Sequence, residues 1–140
     1  MSHLDPGTEW GRSAERLLRS EEVAWLTTLR ADGSPWPNPV WFVWDGETFL
    51  VYSRAESLKL RHIARDSRVA VNLNGEGWDL DVVVVSGLAR LASGEPPVDR
   101  APAYLEKYSS AIERLGMTVP EYTAAFSIPI RITPTGVRGH

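Results

Sequence analysis

Ser53, Arg54, Ser57, Lys59 and Arg61 fall within one short run, Ser53-Arg54-Ala55-Glu56-Ser57-Leu58-Lys59-Leu60-Arg61-His62-Ile63, with Arg65 just beyond it. The run follows an apolar stretch, Thr48 to Tyr52, that reads as a strand, and it leads into a predicted helix over Ser57 to Arg65. A helix entered from a strand through Ser and Arg suits an anion. Its first N–H groups lack intrahelical partners, and its dipole adds partial positive charge at that end. Lys59 and Arg54 would complete a phosphate clamp. The same residues also describe a Ser-capped surface helix with solvated basic side chains, and local sequence does not choose between the two.

The chain offers little other chemistry. It has no cysteine, which excludes disulfides, thiol catalysis and Cys-type metal sites. The three histidines, His3, His62 and His140, are scattered and give no zinc spacing. The six tryptophans are a rich supply, and Trp25, Trp36, Trp41, Trp44 and Trp78 fall in a β-rich middle. They serve equally well as core and interface packing or as the lining of a groove for a flat, conjugated ligand. Trp41 and Trp44, three apart on a predicted strand, must face opposite sides.

The elements that would position these residues can be read along the chain. Thr8 to Ser20 has Trp10, Ala14, Leu17 and Leu18 at helical spacing. Val23 to Leu29 reads as a strand, followed by a hairpin turn with Asp32-Gly33 at its centre. A second strand is predicted over Pro37 to Trp44, and Asp45-Gly46 turns it into Thr48 to Tyr52. Arg68 to Leu73 is the next strand. Asn74-Gly75-Glu76-Gly77 then turns the chain into a long strand, Leu80 to Leu91. Val82 to Val85 suggests burial on both faces of that strand, and Gly87 suggests a bulge. Helices are predicted over Val98 to Tyr108 and Pro120 to Phe126, a last strand over Ile128 to Thr133, and a polar tail from Pro134 to His140.

A chain of 140 residues can bury a real core as one domain. The expected organisation is a helix at about 8–20, a barrel at about 23–91 and 128–133, and a helical insert at about 97–126. The pattern favours a mainly β (α+β) fold, a small closed or split β-barrel of antiparallel strands with short peripheral helices. A net charge of -3 argues against nucleic acid as a partner. No apolar run reaches the roughly 20 residues that span a bilayer, and the N-terminus lacks signal-peptide features, so no membrane partner and a cytoplasmic location are expected.

Taken together, several motifs carry a family resemblance. They are Trp25-Leu26-Thr27-Thr28, Asp32-Gly33-Ser34-Pro35, Pro39-Val40-Trp41-Phe42, Asp45-Gly46, Ser53 through Lys59 and Arg61, and Arg68-Val69-Ala70. In order and spacing the chain resembles the pyridoxamine 5'-phosphate oxidase-like split barrels, and more narrowly their actinobacterial branch that uses the deazaflavin coenzyme F-420. The resemblance runs from about Val23 to Leu91 and resumes at Ile128 to Arg131.

The resemblance implies a site. Pro39, Val40, Trp41 and Phe42 would run along the isoalloxazine or deazaflavin ring and offer backbone groups to it. Ser53, Arg54, Ser57, Leu58, Lys59 and Arg61 would hold the cofactor phosphate and its surroundings. Trp78 and Asp79 would pack near the cofactor, often across a homodimer interface. The full oxidases carry an Arg-Lys pair at the helix start where this chain has Leu58-Lys59. They also end in an Arg-rich substrate signature, of which only Arg131 and Arg138 are present, in another context. Oxidation of pyridoxamine phosphate is therefore not expected. The expected function is an F-420-dependent oxidoreductase passing hydride to a small-molecule electron acceptor. The alternatives are an FMN-binding flavoprotein, a non-catalytic binder of FMN, F-420 or haem, and a stress or interaction protein that lost the site. Tyr52 is a candidate proton donor, although a strand Tyr beside the core is more often packing.

Overall fold

The computed structural model describes residues 4–75 and 81–139. Part of the turn proposed at 74–77, together with Trp78, Asp79 and Leu80, lies outside the described residues. Among those described, seven antiparallel strands form one sheet that curls into a half-barrel, accompanied by four α-helices. The strands are β1 (Val23–Leu29), β2 (Pro35–Trp41), β3 (Val43–Trp44), β4 (Phe49–Ser53), β5 (Arg68–Asn74), β6 (Val82–Leu91) and β7 (Ile128–Gly139). They lie in the order β2-β1-β5-β6-β7-β4-β3.

Both Asp-Gly hairpins form where the sequence places them. Gly33 and Gly46 sit at φ +83° and +100°, a conformation that costs other residues a clash at Cβ. β2 carries three prolines, Pro35, Pro37 and Pro39, along its length rather than only near its start. The Arg30 N–H donates to the Ser34 carbonyl at 2.9 Å, which marks the even-numbered residues of β2 as those bonded to β1. The odd-numbered prolines therefore direct their missing N–H to the open edge, where nothing is lost.

Three expectations are corrected. The strand predicted over Pro37 to Trp44 is broken at Phe42 into β2 and β3. There the Phe42 N–H donates to the Tyr108 hydroxyl at 2.8 Å, and its carbonyl accepts from Lys107 Nζ at 2.9 Å, so side chains replace the ladder. The polar tail from Pro134 is instead the second half of β7, paired with β6 as far as Gly139. The helix predicted from Val98 is a 3-10 turn at Val98–Arg100 followed by α3 (Pro102–Arg114), because Pro102 is suited to the first helical turn. The bulge at Gly87 does form, as a register shift between Ser86 and Gly87. A Cβ at Gly87 would sit 2.8 Å from the Thr133 carbonyl oxygen.

Val83 and Val85 are buried, whereas Val82 and Val84 on the other face are half-buried. The main core fills the sheet's concave side with Leu26, Phe42, Phe49, Val83, Val85, Ile130 and Ile132, and α1 (Glu9–Ser20) adds Ala14 and Leu18. A second cluster lies between β4 and the helical insert of α3 and α4 (Val119–Ala125). It holds Tyr52, Tyr104, Tyr108 and Tyr122, the chain's four tyrosines, with Trp41 packed against it. Trp44 belongs to the first cluster and Trp41 to the second, so the two do face opposite ways.

Candidate functional site

Strand β4 ends at the buried Ser53, and a turn closed by the Ser57 N–H on the Arg54 carbonyl (3.2 Å) delivers the chain into α2 (Leu58–Arg65). Ser57 holds the N-cap position, yet its side chain makes no capping bond. Its hydroxyl instead accepts from Lys59 Nζ at 2.9 Å. Lys59 is half-buried, and desolvation lowers its pKa from the usual lysine value. An ammonium drawn partly out of water and set beside a hydroxyl at a helix start gains from any anion that reaches it.

These residues form one end of a groove of about 370 Å³. Pro39, Val40 and Trp41 supply a wall from β2; Ser53, Arg54, Ser57 and Lys59 supply the polar end; Leu115, Tyr122 and Phe126 complete the lining. The aromatic side is a run of near-parallel rings. Trp41 stacks on Tyr108 at 4.7 Å and on Tyr122 at 5.5 Å, and Tyr122 stacks on Phe126 at 4.3 Å. The Arg54 guanidinium lies 4.5 Å over the Phe126 ring, joining the cationic end to the aromatic one.

The tyrosine hydroxyls are already engaged. Tyr52 also lines the groove, but its hydroxyl donates to the Pro96 carbonyl at 2.6 Å, and burial together with Glu95 raises its pKa. Tyr122 and Tyr104 share a hydrogen bond of 2.7 Å, and burial pushes Tyr122 up to about 12. Both groove tyrosines therefore stay neutral at physiological pH.

Of the residues singled out in the sequence, the groove brings together Pro39, Val40, Trp41, Ser53, Arg54, Ser57 and Lys59. It does not gather Phe42, Leu58 or Arg61. Phe42 is fully buried in the main core, with its backbone groups engaged by Tyr108 and Lys107. Leu58 is 49% exposed and Arg61 is exposed, both outside the groove lining. Trp78 and Asp79 lie outside the described residues. Leu115, Tyr122 and Phe126 join the groove without having stood out in the sequence. The spacing of Tyr122 and Phe126, four apart at the end of a short helix, was the available signal for an aromatic face. Arg131 is taken up in a structural tie: it bonds Glu95 and Thr48 and pairs with Asp45 at 3.4 Å.

The site is thus a cation-and-hydroxyl pocket at one helix start that opens onto aromatic planes, set in an antiparallel half-barrel. The sequence profile of the pyridoxamine 5'-phosphate oxidase family matches residues 12–139, and the chain belongs to that family. No curated protein matches the sequence. Among solved structures, the chain is similar to an F420 reductase, with 26% identity over 89% of this chain and 94% of that one and a TM-score of 0.66. It is also similar in fold to the conserved hypothetical protein Rv2991 of Mycobacterium tuberculosis, with 24% identity, coverage of 99% and 87%, and a TM-score of 0.69. The haem storage protein HutZ of Vibrio cholerae shares the fold at 14% identity, coverage of 94% and 95%, and a TM-score of 0.65. No helix among the described residues is long and apolar enough to cross a membrane.

Proposed function

We propose that this chain is an F-420-dependent oxidoreductase that passes hydride to a small organic acceptor. The observation that carries the proposal is the Ser57–Lys59 pair: a capping serine whose hydroxyl is turned to a half-buried ammonium, at the end of a groove walled by Trp41, Tyr122 and Phe126. The donor set suits a phosphate at one end and a flat ring at the other. The likeness to an F420 reductase supports the choice of cofactor.

The deazaflavin, when bound, supplies the hydride, and the protein supplies binding, orientation and exclusion of water. Lys59, Ser57 and Arg54 would anchor the phosphate. Trp41 would set the ring plane against β2. Neither groove tyrosine has a hydroxyl free to donate a proton, because Tyr52 and Tyr122 are bonded elsewhere, and the groove lining has no carboxyl group. A proton needed by the acceptor comes from solvent.

The active assembly in this proposal is a homodimer. Register places Pro39, Trp25, Asn72 and Val84 side by side on the convex face of the sheet. Trp25 is 47% exposed there and Val23 sits near it, also exposed. Pro39 belongs to both this row and the groove wall, so a second chain on this face would border the cofactor. FMN is the second candidate, since the polar end with one lysine would accept its phosphate equally well.

Titration with F-420 and with FMN, followed by quenching of tryptophan fluorescence, tests the cofactor. F-420 carries extra carboxylates on its tail, and the exposed Arg61 and Arg65 on α2 offer them a basic rim. F-420 should bind more tightly, and its advantage should shrink as salt screens the rim. Equal or tighter binding of FMN at low salt would replace F-420 with a flavin. Absence of binding by either would remove the groove from this role.

A further inference from the structure

Lys107 belongs to a second hollow, of about 360 Å³, walled by Arg19, Val43, Trp44, Ala103 and Glu106, none of which lines the groove. Its Nζ donates to the Phe42 carbonyl at 2.9 Å and lies 3.8 Å from the Phe42 ring centre and 5.3 Å from that of Tyr108. One N–H is thus committed to the backbone at the β2–β3 break. Among the described residues, Lys107 takes part in no ion pair.

The groups around it pull in both directions. Glu21 and Glu22, just before β1, favour the ammonium from a distance, and Glu22 is shared with Arg114 at 3.2 Å. The two ring faces favour the cation as well. Glu106 and Arg19 line the hollow with opposite charges, and Arg19 is paired to Glu15 at 2.8 Å. Burial outweighs the glutamates and brings the amine down to about 8. Such an amine is neutral in roughly one molecule in five at pH 7.4, against roughly one in a thousand for an ordinary lysine.

We propose that Lys107 is an acylation site: its amine, held in an open hollow without a carboxylate partner, accepts a small acyl group from an activated donor with an anionic leaving group, such as an acyl phosphate. The Nζ lone pair attacks the acyl carbon, the bond from that carbon to the phosphate oxygen breaks with its electron pair, and the amine releases one proton to solvent. Arg19 offers a cation to the departing phosphate. The amide product keeps one N–H for the Phe42 carbonyl but loses the charge. The added group lies against the residue next to Trp41, so acylation would also bear on the groove wall.

The chain has only two lysines, which makes the site simple to read. The purified protein is incubated with acetyl phosphate at pH 7.4 beside a blocked free lysine in the same tube, and acetylation is timed by mass spectrometry of peptides. Lys107 should react at least about threefold faster than the free lysine, since its larger neutral fraction outweighs its lower basicity. Its rate should level off above roughly pH 9, where the free amine is still gaining. In Lys107→Arg the fast label should vanish while Lys59 labels as before. A Lys107 rate below that threshold, or a fast label that survives in Lys107→Arg, overturns the proposal.

Discussion

The Phe42 N–H donates to the hydroxyl of Tyr108, 66 residues further along the chain, at 2.8 Å. The same hydroxyl has the carbonyls of Glu22 and Phe42, at 2.6 and 2.9 Å, as acceptors for its own proton. One side chain on α3 thereby ties the broken strand to the start of β1, and its ring stacks on Trp41 in the groove wall. Tyr108→Phe keeps the ring and removes the tie. It leaves a buried N–H without a partner, which should cost about 1–3 kcal/mol in chemical denaturation. A loss below a few tenths of a kcal/mol would show that water or a backbone shift repairs the break.

Lys59→Ala should weaken cofactor binding by roughly ten- to hundredfold, the worth of a charged hydrogen bond to phosphate, and leave the far-UV circular dichroism unchanged. Unchanged affinity would take Lys59 out of the site. Phe126→Ala, in the aromatic lining, should alter the fluorescence response of the bound ring more than it alters the salt dependence of binding.

His62 gives a pH dependence of stability. It is buried at 6% exposure, with its Nδ1 2.8 Å from the Thr28 hydroxyl and Trp36 edge-on at 6.1 Å. Burial, and then the charges of Arg65 and Arg30, hold its pKa below the usual histidine value. The unfolded chain therefore takes up a proton before the folded one does. Stability from this residue is complete above the unfolded pKa of about 6.5 and is lost as pH falls through the folded value. Urea midpoints should drop between roughly pH 7 and pH 5, and His62→Gln should flatten that slope. A slope unchanged in His62→Gln would assign it elsewhere.

Sedimentation at micromolar protein should give twice the mass of one chain. Trp25→Glu, which sets a charge in the middle of the exposed row on β1, should shift the species to a monomer with its circular dichroism retained. A wild-type monomer that binds cofactor at full affinity would contradict the interface.

Much of the fold was legible because its signals are local. Asp32-Gly33 and Asp45-Gly46 demand positive φ within two residues, and Gly87 marks its bulge by the side chain it lacks. What escaped depends on distant partners. Nothing between Pro37 and Trp44 announces that Tyr108 and Lys107 will replace the ladder at Phe42. The segment from Pro134 reads as a polar tail because Thr133, Thr135 and Arg138 face solvent, yet β6 pairs with it throughout. The candidate site divides in the same way. The contiguous segment from Ser53 to Lys59 was visible as an anion-binding unit. The wall of Leu115, Tyr122 and Phe126 depends on how the helical insert folds back.

The prolines of β2 also constrain how two chains can meet. A sheet edge normally offers alternate N–H and C=O groups, and an incoming strand can bond to both. At Pro35, Pro37 and Pro39 the outward donors are missing, so over this stretch the edge presents acceptors alone, and a donor returns only at Trp41. The opposite edge, β3, is only two residues long. Both borders are poor templates for a further strand, which disfavours fibril-like growth and favours face-to-face contact in the proposed pair.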